Sequence, residues 1–299
     1  MSTPTVLVTG VGGPAGRALA AQFSARGIAV VGTDMMEVRV PGSLVLPIPA
    51  ASDPAMLGAL RRIVDEYGID LVIPTVSEEL PAVSLAAAAF PDHVLLLVAE
   101  PGPVALANDK LLTAWTLADR GVPVPRFMQP GDCGGLEAAF GALGRPFIAK
   151  PRVSRGGRGV VVVRSDHDLD WASLDDTWIL QEFAPGTEYA PVTYRAADRS
   201  GTAQTIVLEK TGLAGGEIGN ATGVRRVFGP EGRDVAEVAL AAVNALDLLG
   251  PADIDVRRLP DGRPVVLEVN ARFGANSEAA PELLDEVLAQ HFRHTLRAA

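Results

Sequence analysis

A single cysteine, Cys133, stands among 299 residues, so neither an internal disulfide nor a thiolate metal site is available to the chain. That scarcity points to a reducing compartment. Positive charge is short as well: 26 Lys and Arg against 36 Asp and Glu leave a net charge of −10. A chain this acidic, with no basic run, has no electrostatic reason to coat nucleic acid. No stretch reaches the roughly 18 uninterrupted apolar residues of a membrane span. The longest apolar-looking run, Leu80 to Phe90, is broken by Pro81 and rich in alanine, which suits a packed helix. No basic leader precedes the first apolar strand, and no fixed-period repeat is visible. His93, His167, His291 and His294 show no ligand or triad spacing. The expectation is a soluble, cytoplasmic protein that engages neither nucleic acid nor membrane.

What is present is ordinary globular material, 48% apolar and 21% charged. The length exceeds one hydrophobic core, so two or three packed units are expected. The first hundred residues alternate strand and helix. Strands are predicted at Thr5 to Thr9, Ile28 to Thr33, Leu71 to Ile73 and Val94 to Val98, with helices at Pro14 to Arg26 and Asp53 to Tyr67. This rhythm implies an α/β fold with a doubly wound parallel sheet over residues 1–104. Pro101 to Val104 reads as a connector and Asn108 to Arg120 as a helix. Beyond it the pattern becomes α+β. Strands fall at Phe147 to Lys150, Gly159 to Arg164, Trp178 to Phe183 and Gln204 to Glu209, and helices at Gly232 to Leu249 and Glu282 to Leu296.

Gly10, Gly13 and Gly16 follow the first strand and open the first helix, and Asp34 ends the second strand. A dinucleotide pyrophosphate could sit at that helix N-terminus, with Asp34 on a ribose hydroxyl. Glycines that merely allow a tight strand-to-helix turn would look the same. An NAD(P)-dependent reductase is therefore an alternative, although no Tyr-x-x-x-Lys proton donor accompanies it.

The most informative stretch runs from Asp253 to Arg272 around Asp261-Gly262, a strong hairpin signal. A two-residue turn pairs Pro260 with Arg263, Asp255 with Glu268, and Asp253 with Asn270. Asp253, Asp255, Glu268, Asn270 and Arg272 then share one face. Opposed side chains lie roughly 4.5–5.5 Å apart, where two carboxylates repel unless a cation joins them. Oxygen-only ligands suit Mg²⁺, and Arg272 could reach a phosphate or an oxyanion. A solvated hairpin face with a salt bridge is the plainer reading, and a β-bulge would shift the register.

These residues resemble the ATP-grasp superfamily, most closely its carbamoyl-phosphate-synthetase-like members, over nearly the whole chain. The resemblance implies a Rossmann-like domain at 1–104. An ATP-grasp domain follows at 105–299, with a central lid at about 120–185 and a catalytic subdomain at about 186–299. It implies that Asp255, Glu268 and Asn270 hold two Mg²⁺ ions (Mn²⁺ being an alternative) on ATP, and that Arg272 steadies the transferred phosphoryl group. Asn108-Asp109-Lys110 resembles the helix start whose lysine reaches nucleotide phosphates. Ile148-Ala149-Lys150-Pro151 resembles the strand whose lysine contacts adenine and the α-phosphate. Ser154-Arg155-Gly156-Gly157-Arg158-Gly159 looks like the loop that closes over the phosphates. Gln181-Glu182-Phe183-Ala184, with Glu188 beyond it, resembles the adenine hinge. There Gln181 and Glu182 would face the adenine edge, the backbone at Ala184 a ring nitrogen, and Glu188 the ribose. Arg225 is placed like an arginine near the acyl phosphate.

The implied activity is ATP-dependent carboxylate–amine ligation on small molecules, with amino acids or a specialised metabolite as candidates and intramolecular ring closure as a variant. Phosphorylation of bicarbonate is an alternative. It is disfavoured because the chain reads as a single unit without a glutaminase partner. Asn-Ala-Arg stands where the family's metal strand ends Asn-Pro-Arg. Many such ligases are homodimers, but the sequence leaves the oligomeric state open. Glu78 and Glu79 follow a strand's carboxyl end as candidate substrate contacts, or serve as first-turn acids behind a Ser77 N-cap. Roles for Lys210 and Asp253 stay open.

Overall fold

The computed structural model describes residues 3–154, 156–196 and 203–296, with side chains to Phe292. Met1, Ser2, Arg155 and the His294 side chain lie outside the described residues. The chain opens with β1 (Val6–Thr9), α1 (Pro14–Ala25), β2 (Val30–Asp34), β3 (Ser43–Pro47), α2 (Met56–Tyr67), β4 (Leu71–Ile73), α3 (Leu80–Leu85) and β5 (Leu95–Leu96). Its five strands form a parallel sheet in the order β3-β2-β1-β4-β5. The buried run Val6 to Thr9 occupies the centre, as its unbroken apolar character requires.

Pro101 to Val104 is not a connector. It begins α4 (Pro101–Asn108), whose two prolines fall in the first turn, where no intrahelical N–H is needed. Asp109 then caps α5 (Lys110–Asp119) by accepting from the N–H groups of Leu111 and Leu112.

A second layer holds β6 (Phe127–Met128), α6 (Leu136–Leu143), β7 (Phe147–Pro151), β8 (Val161–Val163) and β9 (Trp178–Glu182). They form a four-stranded antiparallel sheet, β6-β9-β7-β8, over a separate core that includes Phe140, Phe147 and Leu180. The third sheet contains β10 (Glu188–Tyr189), β11 (Val192–Arg195), β12 (Gln204–Leu213) and β13 (Ala221–Val227). It continues, after α7 (Arg233–Ala245), with β14 (Gly250–Arg258) and β15 (Pro264–Asn270). The chain closes with α8 (Glu282–Leu296).

The first sheet does not have a core of its own on both faces. Val6, Val8, Leu19 and Phe23 pack in one cluster with Phe273, Leu283, Leu284 and Val287 from the chain's end and with Val192 and Leu208 of the third sheet. Polar ties reinforce this seam: Gln22 Nε2 donates to the Ser277 carbonyl at 2.8 Å, and Arg26 pairs with Asp285 at 2.6 Å. Among the described residues no helix is long and apolar enough to cross a membrane.

Candidate active site

The hairpin at the chain's end builds the floor of the site. Its tip is a three-residue loop, Pro260 to Gly262, closed by the Leu259 N–H on the Arg263 carbonyl, with Gly262 at φ +85°. The expected two-residue turn is therefore corrected by one residue. A bulge at Leu267 on β15 supplies the compensating residue. Asp255 lies opposite Glu268, and Asp253 opposite Asn270, as the spacing predicts. The bulge also frees the Leu267 carbonyl, which accepts from Lys150 Nζ at 3.1 Å.

Three lysines converge on these acids. Lys210 Nζ sits 2.7 Å from Asp255 and 2.5 Å from Glu188. Lys110 Nζ is 3.4 Å from Glu268 and donates to the Ser154 carbonyl at 2.7 Å. Burial depresses Lys150 most, the Lys110 charge adds to this, and Glu268 opposes it, leaving a pKa of about 8. Burial would depress Lys210 too, but Asp255 and Glu188 override it and hold the ammonium charged. Burial lifts the Asp255 carboxyl well above the usual range, with Lys210 opposing and Glu268 adding. Glu268 moves down against its own desolvation, held ionised by Lys110, Lys150 and hydrogen bonds with Asp255 and Asn270.

Asn270 Nδ2 is 3.4 Å from Glu268, and Arg272 Nη2 donates to Asn270 Oδ1 at 3.0 Å. Arg272 Nε reaches Ser77 Oγ of the first domain at 3.3 Å. Ser77 thus brings the first domain into contact with this hairpin.

Above the floor the second sheet supplies a roof. Gly156 and Gly157 adopt φ of +60° and +72°, conformations that turn backbone N–H groups toward an anion and that only glycine takes without strain. Asp109 and Arg152 hold the loop's base to α5 through paired contacts of 2.6 to 3.1 Å. The β12–β13 tip meets it from the other side. Arg164 pairs with Glu217, and Arg257 Nη2 donates to the Glu217 carbonyl at 2.7 Å.

Floor and roof enclose one cavity of about 320 Å³. Lys110, Lys150, Ser154, Gly156, Gly157, Gln181, Glu182, Phe183, Ala184, Glu188, Asp255, Glu268, Asn270 and Arg272 all line it. Two expectations need correction. Arg225 lies on the opposite face of β13, where Glu209 at 2.5 Å and Glu231 at 2.7 Å engage it, because it pairs with Glu209 while its neighbour Val224 pairs with inward-facing Lys210. The Glu182 carboxylate turns onto Arg126 at 3.0 Å rather than toward an adenine edge. Lys210, Arg257, Asp253 and the tip residues Ile218 to Ala221 line the cavity without having been assigned from sequence. Of these, Asp253 carried a signal, through its place on the hairpin face shared with Asp255.

The glycine loop of the first domain is closed on itself. Asp34 accepts from the N–H groups of Gly12 and Met36, each at 2.9 Å. A Cβ on Gly16 would stand 2.5 Å from the Gly10 carbonyl oxygen. These glycines serve packing, and the carboxylate expected on a ribose is engaged within the loop.

A family model of the ATP-grasp domain matches residues 107–276, more than half of the chain and the whole of this cavity's floor and roof. The chain belongs to the ATP-grasp family. It is 29% identical over 204 residues to N5-carboxyaminoimidazole ribonucleotide synthase of Synechococcus elongatus, covering 66% of this chain and 50% of that one. It is 27% identical over 180 residues to D-alanine–D-alanine ligase of Desulforudis audaxviator, covering 56% and 58%. The chain thus spans about half the length of the curated relatives it matches. Among solved ATP-grasp structures, L-amino acid ligase from Bacillus licheniformis aligns at a TM-score of 0.68 and 20% identity, over 93% of this chain and 69% of that one. N5-carboxyaminoimidazole synthetase from Staphylococcus aureus, complexed with ADP, aligns at 0.72 and 16%, over 97% and 78%. At these identities the likeness shows the ATP-grasp fold.

Proposed function

We propose that the protein is an ADP-forming ligase that activates a small-molecule carboxylate with ATP and joins it to an amine. The observation that carries this reading is the opposed pair Asp255 and Glu268, flanked by Lys110, Lys150 and Lys210 and followed by Asn270 and Arg272 on one wall. Adenine would lie along Gln181 to Ala184, and the ribose near Glu188. The phosphates would then run toward the hairpin under the Gly156–Gly157 loop.

The donor set fits Mg²⁺. Asp255, Glu268 and Asn270 offer only oxygen ligands, and an ammonium already sits against each carboxylate where a cation is called for. This suits an ion that completes its shell with water and phosphate oxygens. When bound there, Mg²⁺ offsets negative charge on the β- and γ-phosphates.

Lys110 and Lys150 neutralise phosphate oxygens. Arg272, fixed by Asn270 and Ser77, orients the carboxylate whose oxygen attacks the γ-phosphorus as the bond to ADP breaks. The amine then attacks the acyl carbon, phosphate departs with the carbon–oxygen bond electrons, and nitrogen loses its proton. The glycine loop excludes water, which would otherwise hydrolyse the acyl phosphate. A ligand at ~100 times its Kd stabilises by about 2.7 kcal/mol. Melting curves with Mg-ATP, ATP plus EDTA, and NADPH therefore test the site directly. A magnesium-dependent shift with ATP, and abolition of ADP release in Glu268→Ala, are the expected results. A shift with NADPH alone, or near wild-type turnover in Glu268→Ala, would overturn the reading.

A further inference from the structure

Strand β14 gives the cavity a direction. Alternate residues Arg257, Asp255 and Asp253 face it in turn. Arg257 stands against Glu188 at the expected ribose end, Asp255 against the phosphates, and Asp253 lies beyond them. Asp253 has no evident partner in that scheme. Its side chain is 9% exposed, it lines the cavity, and no described residue donates a hydrogen bond to its carboxylate. Its nearest cation is Arg272, whose Nη1 lies 3.7 Å away and donates to the Phe273 carbonyl, while Nε and Nη2 serve Ser77 and Asn270. A buried carboxylate left without a donor costs free energy unless something else supplies one.

The backbone has been cleared to keep it there. An added Cβ at Gly274 would stand 1.3 Å from Asp253 Oδ2, although Gly274 has φ −96°, which any residue can adopt. Glycine at 274 is thus required by the Asp253 carboxylate itself. The missing partner is a donor that arrives with the substrate.

We propose that Asp253 binds the ammonium group of an α-amino acid, whose carboxylate is directed at Arg272 for activation. The inference rests on the ligase reading above and adds the class of acyl donor. Anion and cation stand side by side, Asp253 beside Arg272, as the two ends of a zwitterion demand. The ammonium stays protonated on Asp253, so it is not the attacking nitrogen. A second molecule supplies the amine that displaces phosphate.

The test is a melting screen of the protein with Mg²⁺ and the non-hydrolysable analogue AMP-PNP. Each of the twenty protein amino acids is added, beside acetate, propionate and 3-phenylpropionate as carboxylates without the amine. At least one amino acid should raise the melting temperature further, and its des-amino counterpart should not. Calorimetry should then show its affinity at least tenfold weaker in Asp253→Asn. Gly274→Ala should be similarly weakened, since it displaces the carboxylate without altering charge. Equal binding of des-amino acids, an unaltered affinity in both variants, or no response to any amino acid would overturn the proposal. Absence of the AMP-PNP shift itself would instead remove the ligase reading. An ammonium-dependent shift seen without nucleotide would leave the role of Asp253 standing.

Discussion

Lys150 is the residue on which the nucleotide's charge should register most directly. Buried in the cavity that Gly156 and Gly157 also line, it ionises near 8 rather than at its ordinary 10.5. Phosphate oxygens favour its ammonium form, so binding raises that value. Above pH of about 8 the free protein has lost the proton that the complex keeps. ATP affinity should fall as pH rises past that point, and binding should take up protons. Calorimetry at pH 9 in buffers of different ionisation enthalpy measures the uptake. The two arginines separate in the same way. Arg272→Ala should lower the rate of ADP release by about 10²–10³-fold, the usual cost of losing one group that stabilises a transition state. Arg225→Ala removes only surface ion pairs, worth about 0–1 kcal/mol, and should leave that rate near wild type. At this scale the sequence was legible wherever spacing by two carried the meaning, as with Asp255, Glu268 and Asn270. It was not legible for Arg225, whose orientation depends on which neighbour in β13 faces inward. Nor was the pairing of Glu188 with Lys210 legible, since they meet across 22 residues of chain.

Elements show the same division. The buried parallel strands and α5 announce themselves by apolar runs and a capping aspartate. Strand β13, with Arg225-Arg226 in its midst, has no such pattern, and only its neighbour in the sheet makes it a strand. The closing hairpin reached its expected pairing by a different route, a longer turn offset by the Leu267 bulge. Deleting Leu267 should therefore close a regular ladder with Asp255 still opposite Glu268. The protein should remain folded yet bind ATP more weakly, because Lys150 loses its carbonyl and the cavity one wall residue. Circular dichroism and ATP titration together would check this. Gly16→Ala should behave in the reverse sense. Its Cβ meets backbone atoms 2.5 Å away, an overpacking worth about 1–3 kcal/mol. Melting temperature should fall while ATP affinity holds, as a packing glycine requires.

Across the whole molecule, the second sheet has its own core, whereas the first and third share one. The roof is joined to α5 through Ile179 and Leu111, and across the cavity by Arg164 and Glu217. Hydrogen exchange should slow around 156–160 and 214–220 when Mg-ATP is added, with little change in β1 or β4. The shared core has a further consequence for biogenesis. Val6, Val8, Leu19 and Phe23 are synthesised well before Phe273, Leu283 and Val287, against which they pack. Contacts of such sequence separation form slowly, and exposed apolar surface invites aggregation in the meantime. The nascent first domain must therefore wait, with one face of its sheet uncovered, until residues 273–288 have been made.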